Sequence, residues 1–235
     1  MITDDKGGST LVIGVPTITR DESLIPRVSS ALDASLNAGL GPGEQALLHV
    51  VAMHSERHLC ERWQEALPHR PVQCSTVPDY AIQKRHNFDT LVHKRNMIRT
   101  AALQHPEVQE LLFLDSDTEL RPDTIRRLRD NCTEDICIAA YHPRWMAAPV
   151  VGVRDGDSYR IQNVYDMNCD AAAQPASAGG MGATLLRGSA LDVPFAVGES
   201  LGIKGEDIGF FLEAERREIR SEVIPCYHVD HLTPS

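Results

Sequence analysis

Residues 111–120, LLFLDSDTEL, set four apolar residues against two carboxylates spaced i, i+2, Asp115 and Asp117, with only Ser116 between them. A short apolar run that stops abruptly in acids predicts a strand buried on both faces that carries its polar tip to an edge of the sheet. Strand alternation puts the two acids on one face, but chains usually turn at strand ends, so one acid is expected directly on a cation and the other through water or substrate. Carboxylates in such a place suit a hard divalent ion, and magnesium and manganese are typically held by one or two carboxylates together with substrate phosphates. A nucleoside-diphosphate ligand is the expectation that follows.

The rest of the chain supplies a setting for that edge. Residues 11–15 read as a short strand stopped by Pro16, and Leu24, Val28, Leu32 and Leu36, spaced by four, predict a helix. A second strand is expected over 46–53, a helix over 56–67 ended by Pro68, and a third strand over 72–77. The polar stretch QKRHNFDTLVHKRN then passes into a helix through Met97, Ile98, Ala101 and Leu103, with Lys94, Arg95 and Arg99 at its start. After the acidic strand, Pro122 suits the first turn of a helix bearing Ile125 and Leu128, and 136–140 reads as the next strand. This alternation predicts an α/β fold, a mostly parallel central sheet with helices on both faces. Residues 141–178 carry few periodic apolar positions and predict loops with one short strand near 159–164, the kind of region where acceptor or donor contacts sit. A strand over 182–187, a helix from Glu206 and a last strand over 222–227 complete the pattern.

At 235 residues and 42% hydrophobic content, one domain spanning 1–235 is the economical expectation, with residues 1–10 disordered. A net charge of −10 argues against a general nucleic-acid or anionic-membrane partner, because both need a basic surface. No apolar run approaches the roughly 20 residues of an integral membrane segment, and the polar, acidic start is unlike a signal peptide, so a cytoplasmic location is expected. Cys60, Cys74, Cys132, Cys137, Cys169 and Cys226 show no C-x-x-C and no regular spacing, so reduced, mostly buried thiols are expected rather than a disulfide or zinc framework. Nothing in the sequence fixes an oligomeric state.

The DSD tip, the upstream HKRN, a downstream GED opening a helix and a terminal histidine together resemble the nucleotide-sugar-dependent glycosyltransferases of the A fold, of the DxD-type, family-two-like kind. The resemblance runs from LVIGVPT to HVDHL, nearly the whole chain. It implies that Asp115, Ser116 and Asp117 form the motif that binds a divalent metal, Mn²⁺ or Mg²⁺, bridging the donor diphosphate. It also implies that His231 completes the metal shell, with His228 as the fallback. In GEDIGFFLEAERRE it places Asp207 as the general base with Glu206 beside it; chemically, a carboxylate in reach of an acceptor hydroxyl can take its proton, whereas the competing reading is helix capping. Arg95 and Asn96 match an Arg-Asn pair of the family, and Arg95 would hold phosphate or orient the acids. Pro16, Thr17 and Arg20 occupy the place where the nucleotide pocket begins, and His54 after the second strand would line it. Gly180 and Met181, within GGMG, would bring backbone close to the sugar. Tyr141 and Trp145 are candidates for stacking on a sugar or acceptor ring, with packing as the alternative.

The resemblance thus implies a metal-dependent hexosyl- or N-acetylhexosaminyl-transferase acting on a small or carrier-borne acceptor. The expected donor is a UDP-sugar, with a GDP-sugar possible, and inversion fits an Asp in the GED position. The alternatives are a nucleotide-sugar-binding domain without turnover or a haloacid-dehalogenase-like phosphatase. The phosphatase motif requires Thr or Val where this chain has Glu119, and it lies on a first strand rather than after three others. A sugar nucleotidyltransferase would need a glycine-rich basic loop that LVIGVPTITRDES does not provide. A tail rich in His and Pro has little apolar surface of its own, so the order of residues 226–235 is expected to depend on metal ligation.

Overall fold

The structure, a computed structural model, describes residues 9–79, 87–141, 150–155, 158–164, 167–168, 171–200, 203–226 and 229–233. The first half alternates strand and helix: β1 (Thr10–Pro16), α1 (Ile25–Gly39), β2 (Gln45–Met53), α2 (His58–Ala66), β3 (Val72–Val77), α3 (Asn87–Leu103), β4 (Val108–Leu114), β5 (Thr118–Leu120), α4 (Thr124–Asn131) and β6 (Ile136–Ile138). The second half holds β7 (Val150–Asp155), β8 (Ser158–Asn163), β9 (Gln174–Ala176), β10 (Ala183–Arg187), β11 (Gly198–Ser200), β12 (Ile203–Gly205), α5 (Glu206–Arg216), β13 (Ser221–Val223) and β14 (Val229–His231). Eight strands form one sheet in the order β3-β2-β1-β4-β10-β6-β13-β9. The β3-β2-β1-β4 half is parallel, β6 and β13 are parallel to each other, and β10 and β9 run antiparallel to their neighbours.

Burial on both faces explains why the strands read as continuous apolar runs. Along β1, Leu11, Ile13 and Val15 face one core while Val12 faces the other, and in β4 Leu112 and Leu114 oppose Leu111 and Phe113. The first core takes Val28 and Leu32 of α1, Trp63 of α2 and Ile125 and Leu128 of α4. The second takes Ile98 of α3 and Phe210, Phe211 and Ala214 of α5. Gly14 is required where β1 crosses α3, since a side chain there would run into Ile98. Among the described residues, no helix is long and apolar enough to cross a membrane.

The chain turns at the acids as expected: β4 ends at Leu114, Asp115 and Asp117 occupy a turn closed by Thr118 N donating to Asp115 O at 3.1 Å, and the chain resumes as β5. Several other expectations change. Helix α3 begins at Asn87, so Lys94 and Arg95 lie in its middle rather than at its start. The last strand of the sheet is Ser221–Val223, earlier than expected, and the loop-rich stretch holds β7 and β9 besides the expected strand, which is β8 and pairs with β7 as a hairpin. The tail has protein partners of its own: β14 pairs antiparallel with β5, Val229 is fully buried, and Leu232 N donates to Asp117 O at 2.7 Å. The expectation of uniformly reduced cysteines is also overturned. Cys132, just past α4, and Cys137, in β6, are joined by a disulfide across a Cα–Cα distance of 6.0 Å, and Cys226 is disulfide-bonded too. A separation of five residues around a helix-to-strand turn brings the two sulfurs together without any sequence signature. Cys60 and Cys74 remain thiols. Residues 1–8, Lys84, Arg85, Trp145 and His228 lie outside the described residues.

Candidate active site

The carboxyl ends of β1, β2, β4 and β6 share one edge of the sheet, and β10 starts from it. Open α/β sheets bind ligands at such an edge. Each residue of the DSD turn is held there by a different element. Asp115 Oδ1 accepts from Arg95 Nη2 of α3 at 2.8 Å, and Asp115 N donates to Gly182 O at 3.1 Å. Ser116 Oγ donates to Asp21 Oδ2, in the turn after β1, at 2.8 Å. Asp117 Oδ2 lies 3.1 Å from His231 Nε2 of β14 and 3.6 Å from Arg20 Nη2.

Arg95 joins the two acidic motifs. Its guanidinium is 1% exposed, lies over the rings of Phe113 and Phe195, and reaches Glu206 Oε1 at 3.4 Å as well as Asp115. Burial works against its charge, but Asp115 and Glu206 outweigh that and hold it protonated above its ordinary range. Of the two roles open to Arg95, the geometry is that of orienting the acids. Burial pushes the carboxyls of Asp115, Glu206 and Asp207 up; Arg95 opposes the rise in each, and a neighbouring carboxylate adds to it. Asp207 Oδ1 accepts from Ile208 N at 2.8 Å, so it tends the start of α5 while keeping part of its surface open.

Lys94, beside Arg95, points elsewhere. It is fully buried, donates to Thr17 O at 2.5 Å and stands 3.7 Å from Glu56 Oε2; burial lowers its pKa against the pull of Glu56. Glu56 Oε1 in turn accepts from Thr19 N at 2.8 Å, and Asp79 accepts from Ser55 N and Oγ at 3.0 and 2.9 Å. The loops after β1, β2 and β3 are thereby tied into one rim. Arg20 stands on it, 54% exposed in its side chain, and His54 is exposed. Thr17, by contrast, is fully buried, its Oγ1 taken by Trp63 Nε1 at 3.3 Å, and Pro16 is buried at the end of β1. Met181 turns its side chain into the second core, so only its backbone lies beside Gly180 at the edge.

Asp21, Glu56, Phe195 and Tyr141 belong to this arrangement and were not assigned these places from the sequence. Asn96 brackets Phe195, donating to its O at 2.8 Å and accepting from its N at 2.9 Å. Asp21 adjoins Arg20 in PTITRDES, a signal that was legible; Phe195, 100 residues from Arg95, gave none.

As a metal site the donor set is partial. Asp117 Oδ2 and His231 Nε2 face each other, but among the described residues no three His, Cys, Asp or Glu side chains converge as a cluster able to hold an ion. That suits a cation which draws its remaining ligands from a diphosphate and water.

No family model matches the sequence, and no curated protein matches it. Solved structures do. S. aureus TarS 1-349 in complex with UDP-GlcNAc is similar with a TM-score of 0.56 at 13% identity, over 97% of this chain and 59% of that one. TarS 1-349 gives 0.53 at 16% identity, over 96% and 61%. The inositol-1-phosphate CTP transferase from T. maritima gives 0.52 at 11% identity, over 96% and 89%. The chain therefore spans about three-fifths of the TarS chains it matches. Likeness at these identities speaks to architecture, and the architecture of this chain is the glycosyltransferase A type of α/β fold.

Proposed function

We propose that this chain is a metal-dependent glycosyltransferase that moves a sugar from a nucleoside-diphosphate sugar to a small or carrier-borne acceptor, with inversion. The observation that carries this reading is the buried Arg95 that joins Asp115 of the DSD turn, whose Asp117 meets His231, to Glu206 of the GED motif, at the ligand-binding edge of that fold. TarS, which shares the fold, has been solved with UDP-GlcNAc and with UDP, and this favours a UDP-sugar donor over a GDP-sugar.

In this mechanism Asp117 and His231, with Asp115 alongside, would hold Mn²⁺ or Mg²⁺, whose chemistry is to neutralise the charge of the departing diphosphate. The rim formed by Arg20, His54 and Ser55 receives the nucleotide, and Arg20, an exposed cation 3.6 Å from Asp117, grips a phosphate oxygen. Gly180 and Gly182 leave room for the Tyr141 ring and hydroxyl and the Asp115 carboxylate to pack against the backbone at the edge that faces the donor. Asp207 takes the proton of the acceptor hydroxyl as its oxygen attacks the anomeric carbon, and the raised pKa of its carboxyl makes it a better base than an ordinary aspartate. Arg95 opposes the burial that raises the Asp115 and Glu206 carboxyls and fixes both in place.

The test is a thermal-shift screen of UDP-, GDP- and dTDP-sugars with and without Mn²⁺, followed by donor hydrolysis and transfer assays. A rise in melting temperature for one nucleotide-sugar class only with metal, and metal-dependent turnover, support the reading. Nucleotide binding with no turnover across many acceptors would instead mark a binding domain.

A further inference from the structure

We infer that Tyr141 is a positioning residue whose hydroxyl sets Asp115 and His231 in place for the metal and diphosphate, an inference that rests on the reading of the site given above. Three observations meet on this side chain. Gly182 N donates to Tyr141 Oη at 3.1 Å. A Cβ added to Gly182 would lie 2.7 Å from Tyr141 Oη and 2.6 Å from Asp115 Oδ2, and one added to Gly180 would collide with Tyr141 Oη. The Tyr141 ring packs edge-on against His231, with centroids 5.4 Å apart and planes at 71°.

These contacts define a role. Tyr141 follows β6, Gly182 precedes β10, Asp115 follows β4 and His231 ends β14, so one side chain touches or adjoins all four chain segments at the sheet edge. Two glycines leave open the volume in which the hydroxyl and the Asp115 carboxylate lie side by side above the Gly182 backbone. A phenol so placed accepts the Gly182 N–H and fills the space beside the Asp115 carboxylate, which fixes where that carboxylate can lie. Asp115, Asp207 and Arg95 are the charged groups near enough to act on it. Its ring limits the rotation of the His231 imidazole and thus the direction of Nε2 toward Asp117. Groups that orient a metal ligand without touching the metal commonly change metal affinity by about 10- to 100-fold when removed. Tyr141 therefore acts through Asp115 and His231, which differs from the ring-stacking role its sequence position invites.

Tyr141→Phe keeps the ring and removes only the oxygen. Calorimetric titration of UDP in Mn²⁺ and in EDTA, with a thermal melt of each protein, is the experiment. For Tyr141→Phe we expect a folded protein with a lowered melting temperature, because the Gly182 N–H loses its acceptor, together with unchanged weak UDP affinity in EDTA and a loss of about 10-fold or more in affinity in Mn²⁺. Gly182→Ala, which crowds the same two oxygens, is expected to cost a similar factor, and the double variant Tyr141→Phe/Gly182→Ala less than the product of the two. Wild-type affinity in Mn²⁺ for Tyr141→Phe, or an equal loss with and without metal, overturns the positioning role. A wild-type protein whose UDP affinity ignores Mn²⁺ overturns the reading of the site itself, and this inference with it.

Discussion

Arg95 and Glu206, 111 residues apart in the chain, stand 3.4 Å apart in the interior, and the same Arg95 nitrogen donates to Asp115 at 2.8 Å. The DSD and GED motifs are therefore one electrostatic unit with a single shared cation. Breaking a buried ion pair by removing one partner leaves the other charge uncompensated.

Arg95→Met should accordingly destabilise the fold by about 3–5 kcal/mol at neutral pH, where Asp115 and Glu206 would be left buried without their counter-ion. Burial already raises both carboxyls, and losing Arg95 raises them further, so the two protonate as pH falls and the deficit of the variant shrinks. Denaturant melts at pH 7 and pH 5 measure this; an equal deficit at both would mean that Arg95 contributes packing alone.

Asp207→Asn should keep donor binding and lower transfer by about 100-fold or more, the scale of general-base catalysis. In the wild type, the carboxyl must be ionised to accept a proton and its pKa is raised by burial, so the rate climbs with pH through a limb lying above the ordinary aspartate value of about 4. A pH profile of kcat/KM shows that limb, and its persistence in Asp207→Asn would move the base elsewhere.

Glu44 offers a control remote from the site. Its carboxylate accepts from both terminal nitrogens of Arg129 at 2.7 Å and from Gly41 N and Ser9 Oγ; led by Arg129, these contacts hold its pKa down at about 2. A depressed folded pKa stabilises above the unfolded value of 4.5, and that stability is lost as pH falls toward 2. Glu44→Gln should therefore cost roughly 1–2 kcal/mol at pH 7 and little at pH 2–3, with transfer activity unchanged. Urea titrations across that range check the sign.

Much of this architecture was legible because its signals are local. Leu111, Leu112, Phe113 and Leu114 announce a strand buried twice over, and Pro16, Pro68 and Pro106 punctuate the alternation. The DSD, GED and terminal histidine were all placed near one another by the resemblance, and the fold puts Asp117 and His231 in contact. What the sequence concealed is non-local. Arg95 was legible as a residue that holds phosphate or orients the acids, but the burial of Lys94 and Arg95 was not, because their partners Thr17, Glu56, Asp115 and Glu206 come from distant turns. The tail seemed too polar to dock until Val229 and Leu232 found the first core. The Cys132–Cys137 bond depends on a turn geometry that spacing does not encode.

The most direct measurement of the central claim is calorimetric titration of UDP-GlcNAc into the wild type and into Asp117→Ala, each with Mn²⁺ and with EDTA. Asp117 is buried in its turn and its carboxylate meets His231, so a thermal melt of Asp117→Ala without ligand accompanies the titrations to establish that the variant is folded. Binding that requires Mn²⁺ in the wild type and vanishes in Asp117→Ala is the predicted result. Binding of equal strength in all four titrations, or in none, would contradict a metal and nucleotide-sugar site at the DSD turn.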